Sequence, residues 1–168
     1  MEDAGLVGLA TIAVAAFEAG DTILTAVGVA LPEPTMYTIQ YDEGTHVEVD
    51  GPMRHLAHSR APNARIVFGT AARVRPVATR AIAPRDRLSF DYCATEWDMA
   101  AKFDCCCGAP TCRGAVGGFR HLAATSPHLA AALAASAASP YIVRRAAAVE
   151  LQSDAVPASA PSAAAVPA

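Results

Sequence analysis

The sequence predicts a mainly β protein built from small antiparallel sheets, with alanine-rich helices near its C-terminal end. Short runs rich in Val, Ile, Thr and aromatic residues recur through the first 92 residues, separated by Gly, Pro and Asp-Glu-Gly turn signals. After residue 120 alanine dominates, and alanine favours helices. A chain of 168 residues is long enough for one domain with its own core and short for two.

The first apolar segment, residues 5–17, is predicted to form a buried strand and a turn that ends at Gly20-Asp21. Its 13 residues are too few to span a bilayer. The start, Met1-Glu2-Asp3, has no basic region, so we expect a soluble intracellular protein without a secretory signal. The later strand-like runs are Asp21–Val29, Tyr37–Tyr41, His46–Val49, Arg65–Phe68, Ala72–Val77 and Arg87–Tyr92.

The C-terminal part is predicted to contain two helices, Leu129–Ala138 and Ile142–Leu151, separated by Ser139-Pro140. Residues 152–168 consist almost entirely of Ala, Pro, Ser and Val and offer no large side chains to bury. We therefore expect a disordered tail over 152–168.

Charge is distributed unevenly along the chain, although the net charge is only −3. Residues 1–50 hold nine of the sixteen acidic residues and no Lys or Arg, whereas residues 51–90 hold eight arginines and one acid, Asp86. Either the two halves attract each other within one domain, or the acidic half offers a groove to a basic peptide. The arginines lack interleaved aromatics and lysine is nearly absent, so direct nucleic-acid binding is not expected.

Five cysteines include four within eight residues, from Cys105 to Cys112. Three of them are adjacent, and adjacent cysteines are poorly placed to form a set of structural disulfides. Thiols are normally reduced inside a cell. The pattern Cys105-x-Cys107-Gly108-x-x-x-Cys112 can wrap three thiolates around one tetrahedral Zn²⁺ and leaves one position for a distant residue. Buried free cysteines are the alternative interpretation.

Two further motifs are weak when taken alone. In the run from Arg54 to Asn63, Ser59 directly follows His58, so the pair does not form a nucleophile and its base, and no Gly-x-Ser-x-Gly elbow is present. The segment Leu88-Ser89-Phe90-Asp91-Tyr92 is predicted to send Phe90 and Tyr92 to one face of a strand and Asp91 to the other. Most such pairs are simply core residues.

The order and spacing of these motifs resemble the SET-domain family. The resemblance rests on Gly20-Asp21, the His58-Ser59-x-x-Pro62-Asn63 run, the strand to Tyr92 and the Cys-x-Cys-x4-Cys-Arg-Gly cluster, and it covers roughly residues 5–122. Thr95-Glu96-Trp97-Asp98-Met99 also looks like the linker of short SET proteins. The expected parts are a SET core over 1–103, a post-SET cysteine loop over 104–122, a helical extension over 123–151 and the tail.

The resemblance implies a knot-like crossing of small sheets and transfer of a methyl group from S-adenosylmethionine to a protein lysine. It implies that Tyr92 is the catalytic tyrosine and that the ring of Phe90 leaves room in the lysine channel for di- or trimethylated product. The residues implied for cofactor binding are Gly8, Ala57, His58, Asn63 and Phe119. By the same resemblance, Asn63 stabilises the crossing, and Phe119 either covers the adenine or packs in the core.

Zinc is the second group that the resemblance implies, with Cys105, Cys107 and Cys112 as ligands. Many post-SET proteins take the fourth ligand from a cysteine at the position of Arg60, and an arginine has no lone pair to offer. Cys93, which follows Tyr92, and Cys106 are the candidates for this missing thiolate, with Cys93 the better placed.

Two more departures from the family concern the cofactor. Ala57 replaces the usual asparagine, which removes a hydrogen bond of about 0.5–3 kcal/mol. Ala10 occupies the second glycine position of the cofactor turn, where Gly8 matches the first, and its methyl group narrows the room for close backbone approach.

The sequence thus favours an active lysine methyltransferase that acts on a basic protein or peptide, such as a histone tail, in the nucleus or cytoplasm. A catalytically inactive SET-like module that binds a partner is the alternative, and Ala10, Ala57 and Arg60 favour it. A plain zinc-binding interaction domain explains the cysteines and leaves the other motifs unexplained.

Overall fold

A computed structural model describes residues 2–3 and 9–154, and the side chains of residues 9–150. The strands are β1 (Glu2–Asp3), β2 (Leu9–Ala10), β3 (Ala26–Val27), β4 (Val29–Leu31), β5 (Thr38–Asp42), β6 (Thr45–Glu48), β7 (Ala57–His58), β8 (Ala64–Phe68), β9 (Arg73–Ala78), β10 (Ser89–Phe90), β11 (Phe103–Asp104) and β12 (Ala115–Val116). The helices are α1 (Phe119–Thr125), α2 (Pro127–Ser136) and α3 (Pro140–Asp154). The predicted fold class is confirmed.

Two three-stranded antiparallel sheets, β3–β9–β8 and β4–β6–β5, form the centre of the molecule. Three two-stranded pairs, β1–β2, β7–β10 and β11–β12, surround them. Four of the predicted runs correspond to β5, β6, β8 and β9, with ends shifted by one residue. These runs are rich in Val, Ile, Thr and aromatic residues and are bounded by turn signals, which is why the pattern located them.

The predicted strand Asp21–Val29 is divided between the two central sheets. β3 pairs with β9 and β4 pairs with β6, and Gly28 lies between them. A Cβ atom on Gly28 would collide with the carbonyl oxygen of Glu48 and with Val47. The chain therefore changes sheets at a point where two backbones approach too closely for any side chain.

A crossing of distant segments holds the centre of the fold. β7 pairs in parallel with β10, and the backbone N–H of Ser59 donates to the Phe90 carbonyl over 3.1 Å. Residue 88 is also hydrogen-bonded to Thr11, so the chain at 88–90 passes between two other segments. The side chain of Asn63 is buried and fixes this passage, because its Nδ2 donates to the Arg87 carbonyl and its Oδ1 accepts from Ser89 N, each over 2.9 Å.

The strand predicted to run from Arg87 to Tyr92 is shorter than expected, since β10 covers only residues 89–90. Tyr92–Ala94 is a 3₁₀ turn, and Asp91 caps it by accepting a hydrogen bond from Cys93 N over 3.0 Å. An aspartate that bonds to the backbone two residues later competes with a strand. Phe90 and Tyr92 still lie side by side, with ring centroids 4.8 Å apart.

Three helices follow the cysteine loop, where the sequence predicted two. α2 and α3 begin at Pro127 and Pro140, two residues before the predicted starts, because proline is favoured in the first helical turn. α3 ends at Asp154, so residues 152–154 are helical where the predicted tail begins, and residues 155–168 lie outside the described part. α1 was not predicted; it begins after Gly118, where a Cβ atom would lie 2.6 Å from the Trp97 carbonyl oxygen.

Two apolar cores meet at Tyr92. The first lies between the central sheets and includes Val47, Leu56, Ile66, Val74, Leu88 and Phe90. The second lies beneath the helices and includes Val116, Phe119, Leu122, Tyr141 and Ile142. Tyr92 packs against both. This residue therefore occupies the boundary between the sheet region and the helical extension.

Several acids of the N-terminal part are paired with arginines. Asp42 and Glu43 bind Arg144 and Arg145 of α3 over 3.1 and 3.0 Å. Glu48 and Asp50 face Arg54 over 4.0 and 3.5 Å. These four carboxylates therefore have arginine partners at the surface of the molecule. Among the described residues, no helix has the length and apolar character needed to cross a membrane.

Candidate active site

Tyr92 lies at the centre of the candidate site. Its hydroxyl donates to the carbonyl oxygen of Leu56 over 2.6 Å, and its backbone N–H donates to His58 Nδ1 over 3.2 Å. Burial, and secondarily the charge of Glu96, raises the pKa of Tyr92 to about 12. The hydroxyl is therefore protonated at neutral pH and held in one direction by the segment that leads into β7.

His58 is a buried support for Tyr92. Its side chain is 3% exposed, and its ring meets that of Tyr92 edge to face, with centroids 5.2 Å apart. Burial, and then the charge of Arg60, lowers the pKa of His58 to about 4. The ring is therefore neutral at pH 7 and Nδ1 can accept from Tyr92 N, so the 3.9 Å approach of Asp91 to Nδ1 is not an ion pair.

Two cavities meet at Tyr92. The wider one has a volume of about 580 Å³ and is lined by Ala10, Ala57, His58, Tyr92, Phe103 and residues 105–107, among others. The narrower one, of about 60 Å³, includes Tyr37, Ile39, Phe90, Tyr92, Glu96 and Met99 in its lining. Leu56 and Tyr92 line both cavities. The Tyr92–Leu56 hydrogen bond therefore stands where the two spaces join.

Phe103 is a residue of the site that the sequence did not indicate. It lies two residues before Cys105, and its ring meets those of His58 and Tyr92 edge to face, with centroids 6.0 and 6.1 Å apart. The ring is 39% exposed and borders the wider cavity. An aromatic residue directly before a cysteine loop is too common a pattern to indicate a role by itself, and the contact depends on the pairing of β11 with β12.

Glu96 is a second residue that sequence reasoning missed. Its carboxylate accepts hydrogen bonds from Gln40 N over 2.8 Å and from the Thr95 hydroxyl over 3.2 Å. The side-chain oxygen of Gln40 in turn accepts from Trp97 N over 2.9 Å. These hydrogen bonds join β5 to the linker after Tyr92. They place a buried carboxyl group in the lining of the narrow cavity.

Replacement of Glu96 by Gln is expected to stabilise the protein increasingly as pH rises. Burial raises the pKa of Glu96 to about 7, and the two hydrogen bonds oppose this rise. The folded state thus binds a proton more tightly than the unfolded chain, and the stability contributed by this group is lost as pH rises from about 4.5 through 7. Glu96→Gln removes this dependence.

Urea denaturation at pH 4 and pH 8 measures the effect. The stability of Glu96→Gln relative to the native protein should increase between these pH values by up to roughly 3 kcal/mol, at 1.36 kcal/mol per pKa unit. Glu18→Gln on the surface is the control for loss of one charge. A stability difference for Glu96→Gln that is the same at both pH values would contradict the assignment.

Arg60 has an inward side chain that is 7% exposed. Its Nη1 donates to Asp91 Oδ2 over 2.6 Å, and its Nη2 lies 3.5 Å from the sulfur of Cys93. Its backbone N–H bonds to the thiol of Cys107. The Arg60 backbone therefore lies beside the cysteine loop, while the side chain turns away from the loop to form a buried ion pair beneath Tyr92.

The sulfur atoms of Cys105, Cys107 and Cys112 all lie within 4.8 Å of one another. Desolvation raises the pKa of Cys107, but backbone N–H groups of Arg60 and Ala109 and the neighbouring thiols lower it to about 7. Three thiols at this separation fit three positions of a tetrahedral zinc ion. In the described part of the chain no fourth Cys, His, Asp or Glu joins this group, so the residues fit a three-thiolate site with one open position.

Cys93 lies apart from this group, although the sequence favoured it as the fourth ligand. It is buried beside Arg60 and Asp91, and burial, followed by the charge of Asp91, raises its pKa to about 12. Cys106 is exposed and also lies outside the group.

The remaining predicted site residues divide into two sets. Ala57, His58 and Ala10 border the wider cavity. Asn63 and Phe119 do not: Asn63 uses its amide at the crossing, and Phe119 is buried in the second core, stacked on Trp97 at 5.9 Å. Gly8 lies outside the described residues.

The fold is shared with solved structures. The protein KRYPTONITE, solved in complex with mCHG DNA and SAH, matches with a TM-score of 0.54 and 21% identity over 67% of this chain and 27% of that chain. The chain has the SET-domain fold. CpSET8 from Cryptosporidium matches with a TM-score of 0.45 and 19% identity, over 54% of this chain and 55% of that chain.

A curated relative of this SET-domain chain is the methyltransferase flvH from Aspergillus flavus, which is 30% identical over 105 residues. The matched region covers 61% of this chain and 58% of that protein, so the chain spans little more than half of its relative's length. No family model matches the chain. The similarity in sequence and the shared fold agree with the predicted resemblance to SET-domain methyltransferases.

Proposed function

We propose that the protein transfers a methyl group from S-adenosylmethionine to a lysine side chain of a protein. The observation that carries this proposal is the position of the Tyr92 hydroxyl, where a wide cavity and a narrow one meet within a SET-domain fold. The methyltransferase name of the flvH relative and the SAH held by KRYPTONITE support this function.

The wider cavity is the proposed cofactor site. Its volume of about 580 Å³ lies within the range of small-molecule sites. Ala57 and His58 would contribute their backbone and Phe103 an aromatic wall. Gly8 is proposed as a cofactor-binding residue from the family resemblance alone. When bound, S-adenosylmethionine supplies an electrophilic methyl group on a sulfonium.

The narrower cavity is the proposed lysine channel. A lysine amine is protonated in water at neutral pH, and a desolvated channel lined by Phe90 and Tyr92 favours its neutral, nucleophilic form. The protonated hydroxyl of Tyr92 would stand beside the amine and the methyl group, and the aromatic faces would stabilise passing positive charge. Glu96, whose pKa is raised to about 7 by burial, places a carboxyl group on the lining of this channel.

The proposed substrate is a basic protein segment, with a histone tail as the first candidate, in the nucleus or the cytoplasm. Phe90 has no hydroxyl to hold a water molecule in the channel, which favours di- or trimethylated product. Methyl transfer from labelled S-adenosylmethionine to an array of lysine peptides tests the function. Labelled lysine at a defined position is the expected result, and label confined to other residue types would contradict it.

A second function, an inactive module that binds a partner, is favoured by one observation. Ala10 and Ala57 both border the wider cavity, where the family places a glycine and an asparagine. A missing amide hydrogen bond weakens cofactor binding by about 0.5–3 kcal/mol, which is less than the total affinity of a micromolar ligand. The enzyme is therefore the preferred conclusion.

Zinc is the proposed metal of the cysteine group, held by Cys105, Cys107 and Cys112. Elemental analysis of purified variants tests these ligands. We expect Cys107→Ser to lose most of the metal, because it removes one of three sulfur ligands, whereas Cys93→Ser and Cys106→Ser keep it. Loss of metal from Cys93→Ser with retention in Cys107→Ser would reverse this assignment.

A further inference from the structure

A third cavity, of about 310 Å³, lies between the β core and the first two helices. Its apolar walls come from Ile66 and Phe90 in the core, Leu122 in α1, and Leu129 and Leu133 in α2. Its size is at the lower end of the range of small-molecule sites. Phe90 also borders the narrow cavity, so this residue lines both spaces.

The charged residues that line this cavity are mainly cationic: Arg60, Arg65 and Arg113 oppose one carboxylate, Asp91. Asp91 is already bound by Arg60 Nη1 over 2.6 Å. The cavity thus keeps an excess of positive charge, which is complementary to an anion.

Two of these arginines carry buried donors with no acceptor among the described residues. Arg60 uses Nη1 and Nη2 on Asp91 and Cys93, but its Nε is buried and unpaired. Arg113 likewise has a buried, unpaired Nη2. Both residues line the cavity, so an anionic ligand there would lie beside their guanidinium groups.

We propose that this cavity binds a small carboxylic acid with an apolar body, of the medium-chain fatty acid class. Arg65 and Arg113 give the cavity positive charge beyond the Arg60–Asp91 pair, and this charge is complementary to a carboxylate. The leucines of α1 and α2 provide the surface for the alkyl chain. This site is separate from the proposed cofactor and lysine cavities, and its test does not depend on turnover.

Calorimetric titration of the full chain with octanoate tests this assignment. Octanol, which lacks the charge, and acetate, which lacks the apolar body, are the comparison ligands. We expect octanoate to bind at least about tenfold more tightly than either, corresponding to 1.4 kcal/mol. Equal affinity for octanol and octanoate, or no heat with octanoate at millimolar concentration, would overturn the proposal.

Substitutions in the cavity lining test whether octanoate binds in this cavity. Arg113→Gln removes one donor and should weaken octanoate binding by about tenfold. Ala132→Trp, an exposed α2 position that lines the cavity, should fill the space and abolish binding even where Arg113→Gln does not fold. Arg120→Gln, whose side chain binds Asp98 on the surface, is the matched control and should bind like the native protein. Unchanged octanoate binding by Ala132→Trp would refute the site.

Discussion

Replacement of Tyr92 by Phe should reduce methyl transfer by on the order of 10²–10³-fold, as expected when a positioned polar group is removed from a reaction centre. The variant loses only the hydroxyl, which is held by the Leu56 carbonyl at the junction of the two cavities. Stability should fall by about 0.5–1.5 kcal/mol, the usual value for one hydrogen bond. The cofactor affinity should stay within a few-fold of the native value.

Tyr41→Phe is the matched control for this experiment. The Tyr41 hydroxyl also donates to a backbone carbonyl, that of Gly69, over 3.3 Å, but Tyr41 lies outside the lining of both active-site cavities. Single-turnover rates on a lysine peptide, with cofactor affinity measured by calorimetry, separate the two variants. Turnover by Tyr92→Phe within tenfold of the native rate would show that the tyrosine is misassigned.

Replacement of Arg60 by Met should destabilise the protein by about 3–5 kcal/mol, because the carboxylate of Asp91 would remain buried without its partner. Burial already raises the pKa of Asp91, while the guanidinium of Arg60 opposes this rise. The double variant Arg60→Met/Asp91→Asn removes both charges and should recover most of the loss. Urea denaturation measures both changes in the free energy of unfolding.

Arg120→Met provides the comparison on the surface. Arg120 binds Asp98 over 3.0 Å, but both side chains are well exposed, and its loss should cost no more than about 1 kcal/mol. The buried pair would contribute little to stability if Arg60→Met lowered the free energy of unfolding no more than Arg120→Met does. The same conclusion would follow if the double variant were no more stable than Arg60→Met.

The sequence located features that depend on local spacing. Strands β5, β6, β8 and β9 were located by their β-branched and aromatic composition between turn signals. The three cysteines that approach within 4.8 Å of one another were located by their close spacing in the sequence. The paired rings of Phe90 and Tyr92 were also predicted, although the strand ends before Tyr92. Such features need only a few consecutive residues to be specified.

Features that depend on distant contacts could not be predicted in this way. Gly28 divides a strand because Val47 and Glu48 approach its backbone. The backbone N–H of Gln40 holds the carboxyl group of Glu96 in place. The Arg60 side chain turns inward because it binds Asp91, which lies thirty-one positions later in the chain. Each of these contacts joins segments far apart in sequence, and no local pattern marks them.

Calorimetric titration of the purified protein with S-adenosylmethionine tests the proposed methyltransferase function, with ATP as a control that shares the adenosine. We expect saturable binding of S-adenosylmethionine with a micromolar dissociation constant and no comparable heat from ATP. Binding would be consistent with Ala10 and Ala57 weakening the site without closing it. No binding at millimolar S-adenosylmethionine would contradict the methyltransferase function and favour the inactive, partner-binding module.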